Sequence, residues 1–357
     1  MSLRLRAARL TLLAALLATA SAWAQDSSGV PPPPKDAGQP IPALPAAKAT
    51  QNRLTSIAVA GKRLVAIGQE GVVLWSDDGQ HWTQSMVPVS GMLDYVRFFD
   101  ATDGWILGYD GIIMQTTDGG EHWTLRHFEA GAHPLYDLIF LDAEHAIAVG
   151  GFGDYLTSAD GGKTWVMQQN PLNDLGMHMN TIVRLGDGSL FIAGERGLMA
   201  RSSDNGAHWA LLDSPYTGSF FGAIPLGEHG VLVYGLRGNV YTSNNVADCA
   251  TMDYDKWDVF TRKSVEDPAR VAALGWKHLG NPVTESLFGG VVLPDGEVLM
   301  VGVNGVVETT RNLASPADSR VAPLSTAADD TLGDVALFNG HMIAVGRQGV
   351  EDLGALP

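Results

Sequence analysis

The chain predicts an all-β fold, a seven-bladed β-propeller of four-stranded antiparallel meanders, from three features of its 357 residues. Trp82, Trp123, Trp165 and Trp209 each end a similar turn, at spacings of 41, 42 and 44 residues. A Gly-x-x-Gly pair recurs seven times, at Gly68/Gly71, Gly108/Gly111, Gly150/Gly153, Gly194/Gly197, Gly235/Gly238, Gly302/Gly305 and Gly346/Gly349. Short apolar runs flank each pair, such as Leu64 to Ile67 and Val72 to Trp75, with no long helical pattern between them. A period of about 40 residues carrying a turn signal and a fixed aromatic marks an array of small sheets. Seven such units close into a ring.

Taken in order, residues 1–24 have the three parts of a secretory signal. Arg4, Arg6 and Arg9 precede the apolar stretch Leu10 to Ala20, and Ala22-Trp23-Ala24 forms a small-x-small cleavage site. That stretch is shorter than the roughly 20 residues a spanning helix needs. The expected mature chain is therefore soluble and periplasmic, cleaved after Ala24. Residues 25–50 form a proline-rich linker: Pro31 to Pro34 are unbroken, and Pro40, Pro42 and Pro45 follow. Such a segment is extended and builds no core. The lone cysteine, Cys249, allows no internal disulfide, so the mature fold must rest on its core.

The formal charge is −16, and loss of the three signal arginines takes it to −19. That balance argues against nucleic acid, which rewards basic patches, and against electrostatic attachment to anionic lipid.

The propeller is assigned to residues 51–357. Within each blade one apolar strand precedes the glycine pair and another follows it. A third lies upstream, as in Tyr95 to Phe99, and a fourth follows the aromatic turn, as in Trp123 to Arg126. The fifth-to-sixth spacing is 67 residues, which places an insertion at about 246–285. Inside it, Asp267, Pro268 and Gly275 predict a short capped helix. The seventh repeat stops at Pro357 before a fourth strand, so residues shortly before Leu54 are expected to supply it at the sheet edge.

The recurring turn follows the Asp-box pattern Ser/Thr-x-Asp-x-Gly-x-x-Trp. It occurs as Thr116 to Trp123, Ser158 to Trp165 and Ser202 to Trp209, with a divergent copy from Trp75 to Trp82. The aspartates Asp77, Asp118, Asp160 and Asp204 are read as acceptors for turn N–H groups, with Trp82, Trp123, Trp165 and Trp209 capping the hairpins. These are structural roles. The strings Ala148-Val149-Gly150 through Trp165 and Trp105-Ile106-Leu107-Gly108 through Trp123 resemble the photosystem II stability/assembly factor family of Asp-box propellers. That resemblance spans about Leu54 to Gly349. It implies a non-enzymatic, seven-bladed factor on the exported side of a membrane that assists a membrane or envelope protein complex. The chain departs from the pattern in its insertion, its lack of a lipid-bearing cysteine, and the loss of aspartate and tryptophan near Thr242 and Thr309.

Sialidases and other glycosidases share Asp-boxes, so a carbohydrate-active or sugar-binding propeller is the alternative. No Arg-Ile-Pro element is present. The acids within or beside the glycine turns, Glu70, Asp110, Asp154 and Glu195, are the best candidates for a facing carboxylate pair. Met177-His178-Met179 has soft donors but no spacing typical of a metal site, and neither metal nor cofactor is expected. The glycine-turn face is instead expected to bind a protein partner. Arg196, Arg237 and Arg347 lie in its turns, and its connections carry Met86, Met92, Tyr95, His133, Tyr136, Met177, Met179, Tyr216, Phe220, Phe221 and Phe288, with Trp276 from the insertion. A monomer is expected.

Overall fold

The computed structural model describes residues 38–356, except 259, 316, 317, 325, 327 and 329. The expected signal segment and the Pro31 to Pro34 run lie outside the described residues. From Leu54 onward the chain forms seven antiparallel sheets in sequence order. Their inner strands are Leu54–Ala60, Leu93–Phe98, Leu135–Phe140, Met179–Arg184, Phe220–Leu226, Leu287–Val292 and Leu332–Phe338. Each inner strand packs beside the next, and the seventh returns beside the first, so the blades form a closed ring.

The glycine pairs are explained position by position. The first glycine has an extended backbone, yet a Cβ there would meet the carbonyl oxygen preceding the inner strand at well under 3.0 Å. In all seven blades that carbonyl accepts the N–H of the residue after this glycine, as in Glu195 N to His178 O (2.8 Å) and Val303 N to Ser286 O (2.9 Å). The first glycine thus permits close approach, and only the second has positive φ, from 61° to 101°.

Seven apolar clusters fill the seven blade junctions. Asp-box tryptophans insert into four of them, and three of these meet an aromatic partner there. Trp123 stands 6.2 Å from Phe98, Trp165 stands 6.2 Å from Trp105, and Trp209 stands 6.3 Å from Tyr155, ring to ring. Phe98 belongs to Trp123's own blade, whereas Trp105 and Tyr155 reach across from the blade before. The tryptophans therefore join neighbours as well as cap hairpins.

Within each full Asp-box the serine or threonine hydroxyl donates to the aspartate and accepts the turn glycine's N–H. Thr116, Ser158 and Ser202 do this for Asp118, Asp160 and Asp204. The first copy corrects the reading of Asp77. Ser76 Oγ donates to Asp78 (3.1 Å), which accepts the N–H groups of Gln80 and His81 (2.8 Å each). This turn is one residue shorter, so the box register shifts and Asp78 takes the role. Asp77 instead pairs with Arg63 (2.7 Å), whose guanidinium also reaches Glu121 of the next blade (2.9 Å) and covers the Trp75 ring.

Two other expectations change. The seventh sheet has three strands among the described residues: Leu332–Phe338, His341–Gly346 and Gly349–Ala355. The segment before Leu54 adds no strand to it. Ala43 N donates to Val87 O (3.0 Å), and Gln84 bonds Ala46 N and Leu44 O, which holds this segment against blade 1. A 3-10 turn, Ala49–Gln51, then abuts Gly349. Prolines 40, 42 and 45 lack the N–H groups that a ladder requires. The ring is closed by side chains, as described below.

The insertion enters between the third strand of blade 5, Val240–Ser243, and its outer strand, Lys277–His278. It first runs along the outer edge of blade 4, with Met252 N on Leu211 O and a bridge from Leu212 to Thr251. Its middle reaches the glycine-turn face, where Arg262 donates to Arg196 O (3.2 Å). It returns through the helix Pro268–Ala273, capped by Asp267 as the sequence predicts. Trp276 then sits directly before the outer strand, 2% exposed and 6.3 Å from Phe191 of blade 4. It occupies the place of an Asp-box tryptophan, so blade 5 has lost its aspartate but not its wedge.

Candidate functional site: the glycine-turn face and the channel mouth

Each glycine turn joins the second and third strands of a blade. It lies beside the connections that lead into the inner strands, at the end of the sheets opposite the Asp-box hairpins. The residue before the second glycine has positive φ in six blades, although none is glycine: Glu70, Asp110, Phe152, Arg196, Arg237 and Asn304, with φ from 53° to 59°. This left-handed backbone is unfavourable for a side chain with a Cβ, so six strained positions hold their side chains out on one face. Arg347 differs: it follows the first glycine, has no such strain, and lies 3.8 Å from Asp330.

The arginines of the expected partner surface are all exposed. Arg196 and Arg237 extend from blades 4 and 5, and Arg347 from blade 7. Arg196 has Glu195 at 3.8 Å, a long and exposed ion pair of little net worth. Arg262 from the insertion joins Arg196, a neighbour that the sequence reading did not supply. Exposed aromatics were also missed: Phe152 is 57% and Tyr109 47% exposed, both in glycine turns. Phe152 stands out because the other blades place acid, arginine, asparagine or glutamine at this position.

The aromatic candidates divide. Phe220 is fully buried and Trp276 nearly so, in the cluster between blades 4 and 5, so neither presents a surface. Both are corrected to core residues. An inner-strand start and an Asp-box position are interior places, whatever loop precedes them. Tyr216 and Met179 are likewise buried. Tyr95, Tyr136, Phe221 and Phe288 keep partial exposure along a central channel of about 1140 Å³.

The mouth of that channel has a regular construction. Every inner strand carries a register irregularity at its second residue, and the unpaired residue there lines the channel. Bulges of this kind re-aim a side chain. Blade by blade these residues are Thr55, Asp94, Tyr136, Asn180, Phe221, Phe288 and Gly333. One step deeper the equivalent positions are Ser56, Tyr95, Asp137, Thr181, Gly222, Gly289 and Asp334.

Two acids of the deeper ring are blade-to-blade clamps. Asp137 accepts Thr181 Oγ1 (3.0 Å) and Ile182 N (2.9 Å) and faces Arg97 at 3.4 Å. Asp334 accepts Ser56 Oγ (2.8 Å) and Ile57 N (3.1 Å). Burial raises the pKa of both, and the Asp334 carboxyl is pushed up to about 6. Asp94, in the outer ring, is pushed up to about 7 by burial, against the opposing pull of Arg53.

The candidate catalytic acids do not form a paired site of their own. Asp110 caps Gly131 N (2.8 Å), Asp154 meets His133 (3.3 Å), and Glu195 accepts His178 N (3.3 Å), each within its own neighbourhood. Among the described residues no group of three or more His, Cys, Asp or Glu could hold a metal ion. No helix among them is long and apolar enough to cross a membrane.

The family model described as photosynthesis system II assembly factor YCF48 matches residues 78–134 and 128–252. This chain is similar to the photosystem II assembly factor family of β-propellers. The curated photosystem II assembly lipoprotein Ycf48 of Synechocystis sp. is 26% identical over 144 residues, 39% of this chain and 42% of its own length. The photosystem II assembly protein Ycf48 of Synechococcus sp. is 30% identical over 172 residues, 45% of this chain and 49% of its own length. The chain thus spans half or less of the curated relatives it matches. Among solved structures, YCF48 bound to D1 peptide superposes with a TM-score of 0.59 at 15% identity, covering 89% of this chain and 100% of that one. YCF48 from Cyanidioschyzon merolae gives 0.58 at 13%, covering 86% and 96%. The Cps50 (Swd1) propeller of Myceliophteria thermophila gives 0.62 at 10%, covering 86% and 97%. At these identities the superpositions show the shared fold.

Proposed function

We propose that this photosystem II assembly factor-like propeller is a non-enzymatic factor, exported to the periplasm as a monomer, that docks a membrane or envelope protein complex through its glycine-turn face. The observation that carries the reading is the display of Arg196, Arg237 and Phe152 on strained turns of one face. Strain held in an otherwise regular fold is a mark of sites kept for function. In a chain of charge −16 such an arginine group on one rim suits an acidic or carboxylate-bearing partner. The relatives support it: one YCF48 has been solved with a D1 peptide, and one curated relative is named a lipoprotein. Export with cleavage after Ala24 extends the same reading to this chain.

The test is site-specific photocrosslinking in intact cells. A crosslinker at Phe152 should capture a subunit of a membrane complex, and one at Glu121, on the Asp-box face, should not. Capture only from position 121 would sink the proposal.

A further inference from the structure

The bulged residues at the channel mouth do not all serve the fold. Thr55 Oγ1 donates to Leu93 O and Asn180 Nδ2 donates to Phe220 O, each at 2.6 Å, so these two tie neighbouring blades together. Asp94 stands at the same position in blade 2 and makes no such tie. Its Oδ2 is enclosed and has no hydrogen-bond partner, while the residue as a whole stays partly open along the channel. A buried carboxylate oxygen without a hydrogen-bond donor is a costly arrangement for stability alone, even with the Arg53 charge nearby.

What faces it completes a site. Tyr136, Phe221 and Phe288 hold the equivalent positions of blades 3, 5 and 6, and the Phe221 and Phe288 rings stand 5.2 Å apart. Tyr136 is flanked by the His178 ring at 5.8 Å. Tyr136 lies near enough to Asp94 to feel its charge, and Phe221 and Phe288 line the same channel from blades 5 and 6. A carboxylate and aromatic faces opening on one channel suit an organic cation, which gains from the ring quadrupoles as well as from the negative charge. The channel is roomy enough for a small ligand or a side chain.

We propose that the channel mouth binds an alkylammonium group, seated between the Asp94 carboxylate and the rings of Tyr136, Phe221 and Phe288. A free amine or a lysine side chain could carry that group. This site is separate from the arginine rim and does not rest on the docking proposal.

The binding should depend on pH in one direction. The charged and titratable groups around Asp94 are Arg53 beside it, Tyr136 with His178, Tyr109 and Glu195 next to that ring, and the Arg97–Asp137 pair one step deeper. Because burial holds the Asp94 carboxyl up to about 7, the site is largely neutral in mild acid. A cation must displace that proton, so affinity rises with pH and levels off once Asp94 is ionised.

The experiment is calorimetric titration of the full chain with n-butylammonium and with N-acetyl-lysine-methylamide, using n-butanol as the uncharged control. The expected result is saturable binding of an ammonium probe at about pH 8.5 and roughly ten-fold weaker binding at about pH 6. Butanol should be silent, and D94N should weaken binding at least about ten-fold. Tighter binding of butylammonium assigns a free amine, and tighter binding of the lysine probe assigns a peptide side chain. A second variant, F288L, should retain the fold and weaken binding about three-fold or more, which decides the matter if D94N does not fold. The proposal is overturned if neither probe binds, if butanol competes equally, or if affinity is unchanged by pH or by both substitutions.

Discussion

Asp334 of the last blade accepts two hydrogen bonds from the first, from Ser56 Oγ at 2.8 Å and from Ile57 N at 3.1 Å. The residues are 278 positions apart in sequence, so this contact joins the two ends of the ring. Asp137 makes the same pair of bonds to Thr181 and Ile182 one blade further on. A carboxylate with this geometry satisfies a backbone N–H that would otherwise be orphaned in the channel wall.

Removing that acceptor should therefore cost more than an exposed change would. D334A is expected to destabilise the fold by about 1–3 kcal/mol, the range for leaving a buried donor unpaired. D137A should do at least as much, since it also removes the carboxylate that faces Arg97. Denaturant midpoints of the two variants check this, and values within about 0.5 kcal/mol of the parent would refute the clamp.

The same residue gives a pH signature. Burial pushes the Asp334 carboxyl up to about 6, above its value in the unfolded chain. The folded state then binds the proton more tightly than the unfolded state. Its favourable contribution is complete below about pH 4 and disappears as pH rises towards 6. D334N removes this titration while retaining an acceptor. The stability difference between parent and D334N should shift by about 1 kcal/mol in favour of D334N between those limits, allowing for partial access from the channel. A flat difference across that window would show that the group is not desolvated.

Trp276 supplies the next test. Its ring is a wedge between blades 4 and 5, so W276A should cost about 3–5 kcal/mol, comparable to W209A. A surface anchor would leave the thermal midpoint unchanged. Side-by-side melting curves separate the two roles.

How much of this was legible beforehand follows from what each residue type signals. The glycine pairs and aromatic turns announced the ring, because each has one steric cause, repeated seven times for the glycines and four times for the tryptophans. Trp276 was obscured because 33 residues lie between Ser243 and the outer strand at Lys277, which hides its turn register. The Asp77 assignment failed for a smaller reason, a turn one residue short beside two adjacent aspartates. Asp94, Asp137 and Asp334 gave a signal that only blade-by-blade alignment of the inner strands reveals. A lone acid within an apolar strand reads as ordinary until the bulge shows where it is aimed.

The shifted box can be checked directly. D78A should lower the thermal midpoint by roughly 2 °C or more, because it removes the acceptor of two turn N–H groups and of the Ser76 hydroxyl. D77A breaks only an exposed pair with Arg63, whose guanidinium keeps Glu121 and the Trp75 ring, and should change the midpoint by less. The reverse order would restore the original register.

The strained arginines allow a substitution that separates recognition from folding. At φ 53° and 57°, Arg196 and Arg237 adopt a backbone that glycine takes without steric cost. R196G and R237G therefore remove the charges while relieving the turn, and stability should stay within about 1 kcal/mol of the parent. Alanine would confuse the two effects, since it deletes the guanidinium and keeps the Cβ clash. If the rim recognises an acidic partner, each glycine variant should weaken capture about ten-fold, and the double variant more, with unchanged melting. Raised salt should reproduce part of that loss, because an exposed guanidinium is screened. Partner capture that survives both substitutions at parental strength would remove the arginines from the interface and leave Phe152 and Tyr109 as its remaining anchors.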